Sequence, residues 1–290
     1  MRFYCNYLNI DCNTYTYINV MLYEEIKKLS KCSVPFGTFW HFGTFWANKM
    51  IKRKEVLVME YIFIISISLI SLIVLVFIYQ IKIKDIKKIK EIGFSKELNN
   101  ITDKLPENKE ICEDILKQIN NNGNVKIVEE KNAKASLYIA ITNTISIANI
   151  KESFTRVQTI AHECIHSTQN RRILMFNFIY SNFYLLYFVC ICLLTLFNKL
   201  SNQMLHVVIL TLFSFIYYKV RSYLETDAMT RAPYVAKEYI ERSDVIKKEE
   251  LDTIMKGYDT INKIGIKLVN FQIFADCILK VVIYCVICII

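Results

Sequence analysis

The sequence predicts a mainly α-helical integral membrane protein with a small β-sheet and about four transmembrane helices. The 290 residues are 53% hydrophobic and include only 6 Gly and 3 Pro, which is too apolar and too poor in turn formers for an ordinary soluble domain. Long uncharged runs are flanked by clusters of Lys and Arg, as membrane spans are. The net charge of +9 is therefore attributed to membrane topology, and no nucleic-acid partner is predicted.

Residues 1–58 differ in composition from the rest of the chain. They contain both Trp residues and a short aromatic repeat, Phe36-Gly37-Thr38-Phe39-Trp40 followed by Phe42-Gly43-Thr44-Phe45-Trp46. One interpretation is an aromatic anchor at the membrane surface. The preferred hypothesis is that translation starts at Met59, because Lys54-Glu55-Val56 can be encoded by a purine-rich ribosome-binding sequence shortly before it.

The first predicted transmembrane helix is the apolar run from Tyr61 to Ile81, which has about the length needed to cross ~30 Å of hydrocarbon. Five lysines follow within the next ten residues or so. Since short cytoplasmic loops are enriched in basic residues, the segment after this helix is predicted to be cytoplasmic.

The main extramembrane segment is predicted to contain a helix and three short strands. Pro106 favours a helix start, an apolar stripe follows, and Asn120-Asn121-Asn122-Gly123 stops the helix. Three pieces rich in β-branched residues come next, at residues 124–128, 135–141 and 144–147.

Two further apolar runs predict a transmembrane hairpin. Basic residues flank its two inner ends, and a single Lys199 lies near its tip, so both ends are predicted to be cytoplasmic. His206, near the tip, is interpreted as an interfacial residue and not as a ligand.

The remainder of the chain is predicted to be helical. A helix over residues 221–233 is expected to end or kink at Pro233, and a charged surface helix is expected over residues 237–251. The last span contains Asp276 and Lys280, which are spaced to form an ion pair within one helix.

The stretch His162-Glu163-Cys164-Ile165-His166 is the strongest functional signal in the sequence. On a helix, His162 and His166 lie about 40° apart on one face, so both imidazoles can bind one metal ion while Glu163 reaches a bound water. With only 4 His in the chain, chance produces this pattern with a probability of about one in a hundred or less. The arrangement is typical of zincins, a class of zinc peptidases, although two incidental helix histidines are the alternative.

A strand near such a helix commonly holds the substrate backbone of a zincin in extended form. Residues 137–141 are the candidate for this strand, with a plain scaffold strand as the alternative.

Two motifs on either side of the hairpin together resemble one family. They are Ala161-His162-Glu163-x-x-His166 with Gln169, and Leu224-Glu225-x-Asp227-Ala228 with Arg231-Ala232. Over residues 111–290 the chain resembles the bacterial membrane-bound neutral zinc metallopeptidases, the YugP-like family. The resemblance implies a zincin-like, minigluzincin-type core, Zn2+ bound by His162, His166 and Glu225, and Glu163 as general base. The chain departs from the family at Cys164-Ile165, where a Val-Gly pair is usual, and in lacking an Asp-His-Tyr-Asp-Pro-like stretch before the active helix.

Glu225 and Asp227 are the two candidate acids in the second motif. They lie about 200° apart around a helix, so both cannot face the same ion. Ala228 and Ala232 share the face of Glu225 and allow close approach to the helix of His162, whereas Asp227 is spaced to pair with Arg231 or to orient a ligand.

The predicted function is a membrane-embedded zinc metallopeptidase that hydrolyses peptide bonds in peptide or protein substrates by a zinc-activated water, with Glu163 as general base. The alternative is a catalytically silent membrane regulator or assembly factor that retains the scaffold. An intact Glu163 argues against this, because a structural zinc site needs no general base. The predicted location is the cell membrane, multi-pass, with the active site on the cytoplasmic side.

The predicted organisation has six segments. They are an N-terminal extension, residues 1–58; a transmembrane helix, 59–83; an extramembrane segment with the zincin motif, 84–172; a transmembrane hairpin, 173–220; a third-ligand helix with a charged helix, 221–263; and a C-terminal transmembrane helix, 264–290.

Overall fold

The computed structural model describes residues 36–121, 123–130, 132–133 and 135–290. The helices are α1 (Phe36–Ile78), α2 (Ile83–Gly93), α3 (Lys96–Thr102), α4 (Asn108–Gln118), α5 (Arg156–Thr168), α6 (Arg171–Leu196), α7 (Gln203–Ser243) and α8 (Lys248–Ile289). The strands are β1 (Lys126–Glu130), β2 (Leu137–Ile139) and β3 (Thr144–Ala148). The description below concerns residues 60–290, which form one compact unit.

The interpretations of residues 1–35 concern a part of the chain outside the described residues. For residues 36–55, which include the aromatic repeat, the helical backbone of α1 is described without side-chain detail.

Four helices are long and apolar enough to cross a membrane, as the sequence predicts. They are Val56–Ile78 within α1, α6, α7 and α8. Large apolar side chains such as Phe63, Leu186 and Leu212 are exposed on three of these helices. Exposed apolar surface of this extent is expected when lipid, and not water, surrounds a helix.

Polar contacts join the membrane-spanning helices. The Tyr184 hydroxyl on α6 lies 2.7 Å from the hydroxyl oxygen of Ser214 on α7. Asp276 and Lys280 of α8 form the ion pair that their spacing predicts, and the Lys280 ammonium lies 5.4 Å from the centre of the Tyr184 ring. A paired charge is the form in which an apolar helix tolerates ionised residues.

The extramembrane strands form one mixed sheet in the order β1-β3-β2. β1 is parallel and β2 antiparallel to the central strand β3, all five residues of which are buried. The three predicted strands are confirmed, and β2 occupies an edge. The preceding helix α4 ends at Gln118, before Asn120 adopts a left-handed conformation with φ of 53°.

Helix α5, which carries His162, Glu163 and His166, is fixed at its start by a buried arginine. Arg156 is fully buried, and its guanidinium donates hydrogen bonds to the carbonyl oxygens of Thr102, Leu105 and Pro106 and to Oδ1 of Asn108, at 2.7–3.2 Å. These bonds join α5 to the loop between α3 and α4. Hydrogen bonds to a charged group are among the stronger ones, so the position of α5 is firmly defined.

Cys164 lies on the rear of α5, against α4. Its Sγ atom is 3.6 Å from that of Cys112, and both side chains are fully buried. Cys164-Ile165 stands where the YugP-like family usually has a Val-Gly pair. Cys164 therefore contributes to packing behind α5.

The predicted helix end at Pro233 is not found, because α7 continues through this residue to Ser243. A proline inside a helix costs about 3 kcal/mol, mainly through a lost hydrogen bond and a steric clash. Pro233 is itself buried, and Ala228, Ala232 and Ala236 pack into the extramembrane core. We attribute the continuous helix to this packing, which offsets the cost. The predicted boundary between residues 220 and 221 consequently falls inside one helix.

The predicted single charged helix over residues 237–251 is wrong. The chain turns at Asp244, whose φ of 52° is left-handed, and α8 begins at Lys248. Aspartate tolerates this conformation better than most residues, so the turn needs no glycine. α8 then runs without interruption to Ile289, and the predicted boundary between residues 263 and 264 also lies within a helix.

Candidate metal centre

Helices α5 and α7 bring the predicted ligands together. Ala161 of α5 and Ala228 and Ala232 of α7 are 0–1% exposed in the core between these helices. Because these side chains are small, the two helices approach closely, as expected from the face that Glu225 shares with the alanines. His162, His166 and Glu225 each present one ligand atom, and these atoms lie within 4.8 Å of one another.

The three ligand atoms form a triangle of the size that a tetrahedral zinc ion requires. The Nε2 atoms of His162 and His166 are 3.0 Å apart, and Oε2 of Glu225 lies 3.4 Å from the first and 3.9 Å from the second. Ligands bound tetrahedrally at 2.0–2.1 Å from zinc are about 3.3 Å apart, a value within the observed range. The arrangement of donors therefore fits a zinc ion.

Gln169 determines the tautomer of His166. The Gln169 amide nitrogen donates to the Leu224 carbonyl oxygen at 2.9 Å and to Oδ2 of Asp227 at 2.8 Å. Its oxygen therefore faces Nδ1 of His166, 2.8 Å away, and must accept a proton from that nitrogen. With the proton on Nδ1, Nε2 keeps the lone pair that a metal ligand needs.

Asp227 is placed as its helix position predicts, away from the three ligand atoms. It pairs with Arg231 at 3.5 Å and reaches the ligand set only through Gln169. Gln169 belongs to the first motif, but its role could not be deduced from the sequence, because its partners lie on another helix.

Arg221 was missed by the sequence analysis, where it served only as a membrane-flanking charge. Its Nη2 atom lies 2.8 Å from Oε1 of Glu225, the oxygen that is not nearest the histidines. Arg221 thus orients the carboxylate and leaves Oε2 directed at His162. The i, i+4 spacing of Arg221 and Glu225 was the signal that could have identified this pair.

Glu163 lines the same cavity as the three candidate ligands and is 7% exposed. Burial raises the pKa of Glu163 to about 7, against the opposing effect of His162. Burial also lowers the pKa of His166, which favours its neutral, ligand-competent form.

A cavity of about 580 Å³ opens over these residues. Its walls are formed by β2 and the residues beside it, by α5, and by the adjoining parts of α6 and α7. The strand selected from the sequence as a substrate-binding edge therefore lines the cavity. Within the described part of the chain, β2 pairs with β3 alone, so its other edge has no strand partner.

Two other titratable positions noted in the sequence lie elsewhere. His206 makes a 2.9 Å contact from Nδ1 to the Tyr187 hydroxyl, between α6 and α7, and Asp276 pairs with Lys280 on α8. Neither lines the cavity.

No protein-family model, curated protein or solved structure matches this chain. The resemblance to the YugP-like family accordingly stays a prediction that depends on the two motifs.

Proposed function

We propose that this protein is a membrane-embedded zinc metallopeptidase with a zincin-like site of the minigluzincin type. The observation that carries the proposal is the triangle of ligand atoms from His162, His166 and Glu225, with Glu163 beside it in the same cavity. Two histidines and one carboxylate that leave a fourth position open are the donor set of catalytic zinc, whereas structural zinc is usually held by four protein ligands.

Zinc bound here would supply Lewis acidity toward a water molecule and a peptide carbonyl. Glu163 takes a proton from the attacking water as the new C–O bond forms at the carbonyl carbon. The same carboxyl then gives its proton to the amine nitrogen as the C–N bond breaks. The products are a carboxylic acid and an amine, and Glu163 returns to its starting state.

β2 supplies a surface for the substrate backbone. An extended peptide can add to an open strand edge through main-chain hydrogen bonds, while its side chains point alternately toward and away from the cavity. This mode of binding holds a peptide in the extended form and places one of its carbonyls near the ligand triangle.

Membrane integration is supported by the four apolar helices. The basic residues at the inner ends of the α6–α7 hairpin, among them Arg171, Arg172 and Lys219, favour a cytoplasmic position for the site.

The deciding experiment is metal analysis and hydrolysis of casein and membrane peptides by the detergent-purified full chain and its Glu163→Gln variant. We expect both proteins to bind about one zinc, because Glu163 is not a ligand, and only the wild type to cleave. Glu241→Gln, the same acid-to-amide change at an exposed position outside the cavity, is the matched control and should cleave normally.

Normal cleavage by Glu163→Gln would show that the mechanism is wrong. Zinc binding without cleavage by the wild type would favour the silent regulator or assembly factor instead.

A further inference from the structure

Asn177 of α6 is a buried amide in the cavity wall that lacks a partner. Asn177 is one of the residues that line the cavity, it is 9% exposed, and its Oδ1 atom is fully buried and makes no hydrogen bond to the described residues. An unpaired buried polar atom destabilises a protein by about 1–3 kcal/mol, so each one needs an explanation. Of the six described residues with such an atom, Asn177 is the one that lines the cavity.

Asn177 is one of three polar residues that α6 directs at the cavity, the others being Ser181 and Asn182. Ser181 donates to the carbonyl oxygen of Asn177, and the amide nitrogen of Asn182 donates to that of Phe178, so both donate within α6. Polar residues are costly in a membrane-spanning helix and generally mark a functional path. Asn177 is the buried member of this set, and its amide is the one with an unpaired buried oxygen.

The contacts between α6 and α7 indicate where these residues lie relative to the predicted membrane span. The Tyr180 hydroxyl donates to the Phe213 carbonyl oxygen, and the Tyr184 hydroxyl contacts Ser214. This part of α6 therefore runs beside the apolar half of α7, whereas Glu225 lies beyond Arg221 in the charged half. The cavity extends from the ligand triangle to the level of the predicted membrane span.

We propose that Asn177 binds the backbone of a polypeptide segment that emerges from the bilayer, and that the substrates are membrane proteins cleaved beside a transmembrane segment. This inference rests on the proposed peptidase function. A side-chain amide offers one acceptor and two donors, which complement the N–H and C=O of a peptide unit. Peptide groups near the hydrocarbon need such partners, because no water is present there to supply them.

An anionic lipid headgroup is a less suitable occupant. Among the described residues, Arg221 is the sole Lys or Arg that lines the cavity, and it is already paired with Glu225. A phosphate would therefore find no free cation, whereas a neutral peptide backbone needs none.

The first test compares Asn177→Leu and Asn177→Ala with the wild type in proteoliposomes. One set of probes is a library of single-span reporter proteins with varied juxtamembrane sequences. The other is soluble peptides that contain a cleaved sequence but lack the part that would reach Asn177. We expect kcat/KM for the reporters to fall by about 3- to 10-fold, the loss of one hydrogen bond, with the soluble peptides unaffected.

Thermal unfolding separates this role from a structural one. Asn177→Leu should leave the unfolding midpoint unchanged or raise it, because it removes an unpaired amide, whereas a structural asparagine would lower it. Thr195→Val is the matched control, since Thr195 is also buried on α6 but donates to Ile191 within the helix and does not line the cavity. It should not change cleavage of either probe.

The second test does not depend on catalysis. The photo-cross-linking residue p-benzoylphenylalanine is introduced into the Glu163→Gln variant at one of two positions. Phe178 lines the cavity. Phe176 is the control, because it lines a separate groove with Arg172 and Lys219. Irradiation should cross-link position 178, but not position 176, to the reporter protein.

The outcomes separate the two proposals. Reporter cleavage at the wild-type rate by both Asn177 variants, or cross-linking of position 178 to lipid alone, would overturn the inference while leaving the peptidase intact. If the wild type cleaves neither probe but position 178 still cross-links to the reporter, the binding role of this wall is supported and the peptidase function is wrong.

Discussion

Replacing Gln169 by leucine should weaken zinc binding although Gln169 is not a ligand. The amide oxygen of Gln169 accepts the Nδ1 proton of His166, and its nitrogen is held by Leu224 and Asp227. Leucine has similar volume but cannot accept the proton. The proton is then free to occupy Nε2, which removes the lone pair that faces the metal site.

The size of the effect follows from the hydrogen bonds involved. Loss of a group that orients a metal-binding histidine lowers affinity by about 10- to 100-fold, equivalent to about 1.4–2.7 kcal/mol. Asp227→Ala should have a smaller effect, about 10-fold, because the Leu224 carbonyl still holds the Gln169 amide in place.

Zinc affinity is measured by competition with a chelator on detergent-purified protein at fixed pH. Thr168→Ala is the matched control, since Thr168 is the neighbouring residue and donates only to the Ile165 carbonyl oxygen. It should bind zinc as the wild type does.

A double-mutant cycle tests whether Asp227 affects zinc binding through Gln169. If Asp227 acts through Gln169, then Gln169→Leu/Asp227→Ala should bind zinc no more weakly than Gln169→Leu alone. Additive losses of zinc affinity would show that Asp227 does not act through Gln169. Wild-type zinc affinity in Gln169→Leu would refute the role assigned to Gln169.

Three further predictions concern the ligand, the topology and the scaffold. Glu225→Ala should lose most of its zinc by metal analysis, because two histidines alone bind it weakly, and full zinc occupancy would exclude Glu225 as a ligand. A reporter fused near Ser201, in the α6–α7 turn, should be external, and a cytoplasmic signal there would reverse the topology. Arg156→Met should lower the free energy of unfolding by about 3 kcal/mol or more, since four acceptors lose their donor. The control is Arg242→Met, at an exposed arginine. Equal unfolding midpoints for the two variants would contradict the prediction.

Features that depend on local spacing were predictable from the sequence. The four apolar helices, the three strands and the geometry of His162 and His166 follow from residue periodicity within single elements. Helix geometry also separates Glu225 from Asp227, and it is the Glu225 carboxylate that lies within 4.8 Å of the histidine nitrogens. Its role as a ligand stays a prediction.

Features that depend on packing between helices were not predictable. The boundary expected near residue 220 reflected a change from apolar to charged residues. This change in composition does not interrupt the hydrogen bonding of α7. The helix does not end at Pro233, which was one of the two predicted outcomes there, and Asp244 turns the chain without Gly or Pro. The contact of Gln169 with Asp227 requires the crossing of α5 and α7, which no local pattern specifies.

Because α7 is continuous, the distance along the helix from its apolar half to Glu225 follows from residue number. Glu225 follows Tyr218, the last residue of the apolar run, by seven positions, so it lies about 10 Å along the helix axis beyond the end of that run. An extended peptide spans the same distance with about three residues. A peptidase built in this way would measure its cut from the bilayer and leave a stub of about that length on the anchored product, whatever the sequence of the substrate.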